Sequence, residues 1–134
     1  MRVMYVASEA TPFIKSGGLA DVIGSLPKET AKKDVESIVV IPKYQDMKFV
    51  DQIEYVTNFD IYMGWRKRYC GIFKAEVDGV TFYFIDNEYY FSGERPYSDP
   101  RYDLEKFAFF SRAVLSALPV IDFRPDIIHC HDYH

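Results

Sequence analysis

Apolar residues along this chain fall into short dense runs and into stretches spaced three and four apart, and the two patterns alternate. Residues 2–7, RVMYVA, are a continuous apolar run rich in strand formers, as a strand buried on both faces requires. Residues 19–33, LADVIGSLPKETAKK, carry Leu19, Val22, Ile23 and Leu26 at helical spacing, with Pro27 placed to bend or restart the helix. SIVVIP, 37–42, is a second buried run, stopped by Pro42. Strand, loop, helix and strand in that order predict a βαβ unit with parallel strands and a right-handed crossover.

The middle of the chain changes period. Residues 52–63, QIEYVTNFDIYM, alternate loosely. RYCGIFKAEV, 68–77, and VTFYFID, 80–86, flank Asp78-Gly79, a strong two-residue hairpin signal. These predict an antiparallel hairpin inserted in, or attached to the edge of, a parallel sheet. Residues 88–101 are rich in turn formers and read as a loop. Residues 101–119 predict a helix with Leu104, Phe107, Ala108, Val114, Leu115 and Leu118 on its apolar face and Pro119 at its end. DIIHC, 126–130, reads as another short buried strand. There is no internal repeat, low-complexity tract or linker. The expected class is α/β, a mainly parallel and broadly Rossmann-like sheet in one domain.

Composition narrows the function classes. At 134 residues and 49% hydrophobic, the chain is long and apolar enough to bury a core. Eleven Tyr and eleven Phe suit both a core and flat-faced sugar surfaces. A net charge of -4 offers no basic footprint, which argues against nucleic acid as a partner. Cys70 and Cys130 lie far apart without a CxxC, so both are read as reduced thiols in a cytoplasmic protein. The first apolar run is too short to span a membrane, and Ser8 and Glu9 interrupt it too early for a signal sequence.

In open parallel sheets, ligands gather beyond the carboxyl ends of the strands, and two loops of this chain belong there. The first holds Lys15-Ser16-Gly17-Gly18 just before a helix. Two glycines admit close backbone approach, helix amides favour an anion, and Lys15 adds a mobile cation. The order of residues is neither a Walker A loop nor GxGxxG. On spacing alone, a tight strand-to-helix turn with a surface lysine stays equally open. The second loop follows 126–130, and all three histidines, His129, His131 and His134, fall there with Cys130 and Asp132. His129-x-His131 with Asp132 could begin a metal site, while hydrogen-bonded imidazoles are the plainer alternative. Glu9 reads either as a contact to sugar hydroxyls or as a capping carboxylate. Asp21 suits the helix dipole as well as a ligand. Tyr97 and Asp99 lie in a turn-rich segment. EYYF, 88–91, and Trp65-Arg66 are compatible with packing or with sugar stacking.

VASEATPFIKSGGLADVIGSLPK resembles the N-terminal signature of bacterial glycogen synthases and plant starch synthases, retaining glucosyltransferases that use a nucleotide-diphosphate glucose. Their hallmark Lys-[Ser/Thr]-Gly-Gly-Leu-[Ala/Gly]-Asp-Val is matched from Lys15 to Val22 at every position. The likeness continues through IPKY, GWRKRYCGIF, FYFIDNEYYF, EKFAFFSRAVLSALP and PDIIHCHDYH, and so covers nearly the whole chain. Two departures are Asp34-Val35-Glu36-Ser37 in place of the family's Gly-His-[Asp/Glu]-Val, and Tyr133 where the family usually carries Trp.

The resemblance implies the N-terminal Rossmann-like domain of a GT-B glycosyltransferase, truncated at 1–134, with the second Rossmann-like domain absent from this stretch. It implies ADP-glucose as donor, with UDP-glucose left open, and the non-reducing end of an α-1,4-glucan as acceptor. It implies no metal and no cofactor. Lys15, Gly17 and Gly18 would address the donor's phosphate or sugar. Asp132 and His134, in the family's H-x-D-x-H stretch, would line the sugar site. Tyr97 and Asp99 match a family loop that approaches the cleft, and the place of Asp21 in the motif favours a ligand contact. The family's catalytic-site histidine in the following strand lies outside this stretch, as does the Arg/Lys pair of the second domain that steadies the departing diphosphate. This chain alone is therefore expected to be inactive, and its uncovered cleft and sheet edge to favour self-association. The rival readings are a non-catalytic glucan-binding or scaffold module, and another two-domain glycosyltransferase with a different nucleotide sugar.

Overall fold

A computed structural model describes residues 1–93 and 96–134. The part of the expected 88–101 loop at residues 94 and 95 lies outside the described residues. Strand β1 is Arg2–Val6, helix α1 Gly18–Ala31 and strand β2 Glu36–Pro42. Strands β3 (Glu54–Met63), β4 (Arg66–Val77) and β5 (Val80–Asp86) follow, then helix α2 (Pro100–Ala117) and strand β6 (Ile127–Cys130). The sheet order is β3-β4-β5-β2-β1-β6. The pairs β5/β2, β2/β1 and β1/β6 are parallel, whereas β3/β4 and β4/β5 are antiparallel. The α/β class, mainly parallel with an antiparallel part, is as the pattern predicts.

The chain reverses direction across the sheet. The β1-α1-β2 crossover steps toward β3, and the β5-α2-β6 crossover steps back past β1. Right-handed crossovers in opposite directions place the two helices on opposite faces. Side chains agree. The Tyr5 hydroxyl lies 3.0 Å from Thr30 Oγ1 on α1, while the next residue, Val6, shares a cavity wall with Phe107 and Phe110 of α2. The switch point therefore lies between the carboxyl ends of β1 and β6, where the two candidate loops emerge.

Hairpin chemistry explains the antiparallel half. Asp78 and Gly79 both take positive φ, 51° and 81°, as a type I′ turn requires. A second tight turn at Gly64-Trp65, with φ of 64° at Gly64, joins β3 to β4 and makes the loosely alternating 52–63 stretch a full ten-residue edge strand. The α1 helix is held against the first loop at Gly24. A Cβ there would meet Thr11 Oγ1 at 1.9 Å, so only glycine lets helix and loop approach this closely.

Three expectations are corrected by the fold. Helix α1 runs as one element through Pro27, which is buried, and its inner face is Ala20, Ile23, Gly24 and Pro27, while Val22 is 46% exposed. Helix α2 buries Phe107 and Val114 as expected, but also Phe109, Phe110, Ala113 and Ala117. Leu104, at 77% exposure, and Ala108 and Leu115 face outward, because α2 is apolar on two sides and the sheet takes only one. Strand β6 is exposed along its whole length rather than buried, because it is an edge strand paired only with β1.

Candidate active-site cleft

A cavity of about 820 Å³ opens at the switch point. Glu9, Gly17, Gly18, Tyr97, Asp132 and His134 all line it, so residues up to 125 positions apart in the chain share one cavity. Lys15 and Asp21 do not. They pair with each other at 2.6 Å on the solvent side of the turn, each about half exposed.

Glu9 organises the glycine turn. It is 1% exposed. Its Oε2 accepts from Ser16 N at 2.7 Å and from Ser16 Oγ at 2.5 Å, and its Oε1 accepts from Ala20 N at 3.2 Å. Gly17, the residue at the helix cap, has no side chain to do this, so a carboxylate from the loop after β1 caps α1 instead. The helix terminus is thus already in contact with negative charge. An incoming anion meets the outer amides of the turn rather than the third amide of the helix. Of the two readings of Glu9, the geometry shows the capping one.

The opposite wall is aromatic. The Tyr97 ring stacks on His134 with centroids 4.6 Å apart at 26°, and its hydroxyl lies 2.5 Å from Ser8 Oγ. Burial, more than any neighbour, pushes the Tyr97 phenol above its ordinary range. Tyr133 stacks on His134 with centroids 4.2 Å apart, and it lines the cavity while 89% exposed. Sequence reasoning passed over Tyr133 as a site residue. Its position between Asp132 and His134, two residues already singled out, was the available signal. Asp132 adopts φ of 68°, a left-handed backbone uncommon outside glycine, and such conformations collect at functional sites.

The other histidines point elsewhere. His129 and His131 have ring centroids 4.0 Å apart and lie against Tyr5. Burial first, and His129 second, hold the His131 imidazole below its usual range. Among the described residues, no group of three or more His, Cys, Asp and Glu side chains is placed to hold a metal ion. Asp99 caps α2, accepting from Arg101 N at 2.8 Å. Tyr90 and Phe91 are core residues, and Tyr89 and Trp65 are exposed, Trp65 at the tip of the β3–β4 hairpin.

The two cysteines differ sharply. Cys70 is buried in β4, and burial, with Asp86 adding to it, pushes its thiol up to about 12, whereas Cys130 is exposed. At pH 8 a thiol reagent is expected to modify exposed Cys130 readily and native Cys70 far more slowly, because burial both shields the Cys70 sulfur and disfavours its thiolate. Mass spectrometry of the partly labelled protein checks this, and equal labelling of both sites would contradict the burial.

Comparison with known proteins sets this geometry in context. Residues 2–134 match the family described as starch synthase catalytic domain. Glycogen synthase of Lachnospira eligens is 57% identical over 133 residues, covering 98% of this chain and 28% of that protein. Glycogen synthase of Desulforamulus reducens is 52% identical over 136 residues, with 100% and 28% covered. The solved catalytic domain of starch synthase IV from Arabidopsis thaliana, bound to ADP and acarbose, superposes with a TM-score of 0.86 at 31% identity, over 97% of this chain and 27% of that one. The chain spans about 28% of the length of the curated relatives it matches. Among the described residues, no helix is long and apolar enough to cross a membrane.

Proposed function

Since the chain belongs to the starch synthase catalytic domain family, we propose that it is the N-terminal part of a retaining glucosyltransferase that extends an α-1,4-glucan from ADP-glucose. One observation carries this reading. The cavity at the switch point is walled by the glycine turn on one side and by Tyr97, Asp132, Tyr133 and His134 on the other. A flat aromatic wall facing polar groups suits a glucosyl ring, whose faces are apolar and whose rim is hydroxylated. The outer amides of Gly17 and Gly18 suit the donor's diphosphate. The ADP of the reading takes support from the nucleotide bound by the plant synthase domain.

In the reaction, the bond from glucose C1 to the diphosphate oxygen breaks and a bond from C1 to the acceptor's O4 forms on the same face. The acceptor's hydroxyl proton passes to the departing phosphate. Charge grows on that leaving group, and cations are what it requires. No Lys or Arg among the described residues lines the cavity, and Lys15 is engaged with Asp21. Leaving-group stabilisation is therefore assigned to the part of the protein beyond this 28%, and this chain by itself is inactive. Its second Rossmann-like domain belongs to the same proposal. So do a cytoplasmic setting and self-association of the isolated chain through exposed Leu104, Leu115, Ile127 and Ile128.

The test is glucosyl transfer to maltohexaose by a full-length protein carrying this chain, with ADP-glucose, UDP-glucose and GDP-mannose offered in parallel. Extension at the non-reducing end with α configuration, fastest from ADP-glucose, is expected. Use of another nucleotide sugar in its place removes the donor assignment. Glucan binding with no transfer from any donor would make the chain part of a non-catalytic module.

A further inference from the structure

Lys106 is a lysine on α2 that is only 2% exposed and that does not line the cavity. An ammonium so far from water is costly unless it is fully engaged. Its Nζ donates to the Pro96 carbonyl at 2.5 Å and pairs with Asp103 Oδ1 at 3.1 Å. The Phe107 ring lies beneath it at 4.9 Å. Asp103 in turn accepts from Ser98 N at 2.9 Å and from Ser98 Oγ at 3.0 Å. Buried Lys106 and its partly buried partner Asp103 therefore grip both neighbours of Tyr97, Pro96 directly and Ser98 through the carboxylate.

We propose that Lys106 is a positioning residue of the cleft, which fixes the aromatic wall by clamping the segment on either side of Tyr97 to helix α2. Tyr97 needs such a clamp. It sits in a turn-rich segment outside any helix or strand, yet its ring and hydroxyl must meet His134 and Ser8, 37 and 89 residues away. A segment like this is floppy unless its backbone is pinned, and pinning the two flanking residues leaves Tyr97 few ring positions. Asp103 is well suited to its part. Burial pushes its carboxyl up, but the Ser98 amide, Lys106 and the Ser98 hydroxyl outweigh that and hold it below the usual range. It stays an anion for Lys106 at neutral pH.

That Tyr97 meets a sugar rests on the proposed function, whereas its placement by Lys106 does not. Two measurements on this chain keep the two apart. Ring-to-ring NOEs between Tyr97 and His134 report placement, and those between Tyr90 and Phe109, stacked at 4.7 Å, report an intact core. K106M is expected to lose the first set and keep the second, with Ser98 amide exchange about tenfold faster. K106R, which keeps the charge and a donor, is expected to restore the Tyr97–His134 set and the slow Ser98 exchange. Tyr97–His134 NOEs that persist in K106M overturn the proposal. Should K106M lose the core NOEs as well, Asp103→Asn, which weakens the clamp from its other end, decides by the same criterion. Maltohexaose is then titrated into wild type and K106M. Binding about tenfold weaker in K106M connects placement to the sugar. No binding by wild type means that the sugar site needs the rest of the protein, hands the sugar reading to the full-length transfer assay, and leaves the NOEs to decide on Lys106.

Discussion

Replacing Glu9 with alanine is expected to lower the unfolding free energy of this chain by about 3 kcal/mol, roughly one charge-assisted hydrogen bond together with one buried donor left unsatisfied. The carboxylate lies out of solvent and accepts from two backbone amides, Ser16 N and Ala20 N. Truncation leaves the Ala20 amide orphaned inside the fold, and the Ser16 hydroxyl with it unless it rotates toward solvent. Glutamine keeps the volume but presents an NH₂ where one oxygen accepted, so about half the loss is expected. Urea unfolding with an unchanged m-value checks both. A loss under about 1 kcal/mol for alanine would mean that water takes over the cap and that Glu9 does not hold the glycine turn.

Phe109→Ala is expected to cost about 4 kcal/mol, the range for truncating a buried aromatic ring. Phe109 is 0% exposed and stacks on Tyr90 while touching Phe91 at 6.1 Å between centroids. The ring thus ties the segment after β5 to α2 across the sheet's outer half, and its loss leaves a cavity that two rigid neighbours cannot fill. The control is Leu104→Ala on the same helix. Leu104 is exposed, so its truncation is expected to change stability by about 0.5 kcal/mol or less. Equal losses at the two positions, measured by urea unfolding, would mean that α2 is rotated from the orientation described.

These two positions show how far local pattern carries. Leu104 and Phe107 fit the same apolar stripe at helical spacing, yet only Phe107 meets the sheet. Both sides of α2 are apolar, so periodicity proves the helix without choosing its inward face. Tyr90 and Phe91 are similar. Composition allowed them a sugar-facing role, and only Phe109 opposite them makes them core.

Where a rule is local, the chain's own residues determined the outcome. Dense apolar runs made β1, β2 and β5, since a strand buried on both faces needs no polar alternation. Asp78-Gly79 made the β4–β5 hairpin, because both positions take left-handed backbone that few residue types accept. Resemblance carried the family, and with it a short roster of residues for the site. Tertiary structure decided the rest. It gathered Glu9, Gly17, Tyr97 and His134 onto one cavity and turned Lys15 away to Asp21. It left β6 exposed because the sheet ends there. It made Glu9 a cap and Lys106 a clamp, since a buried charge acquires its role from the partners that surround it, and those partners come from distant parts of the chain.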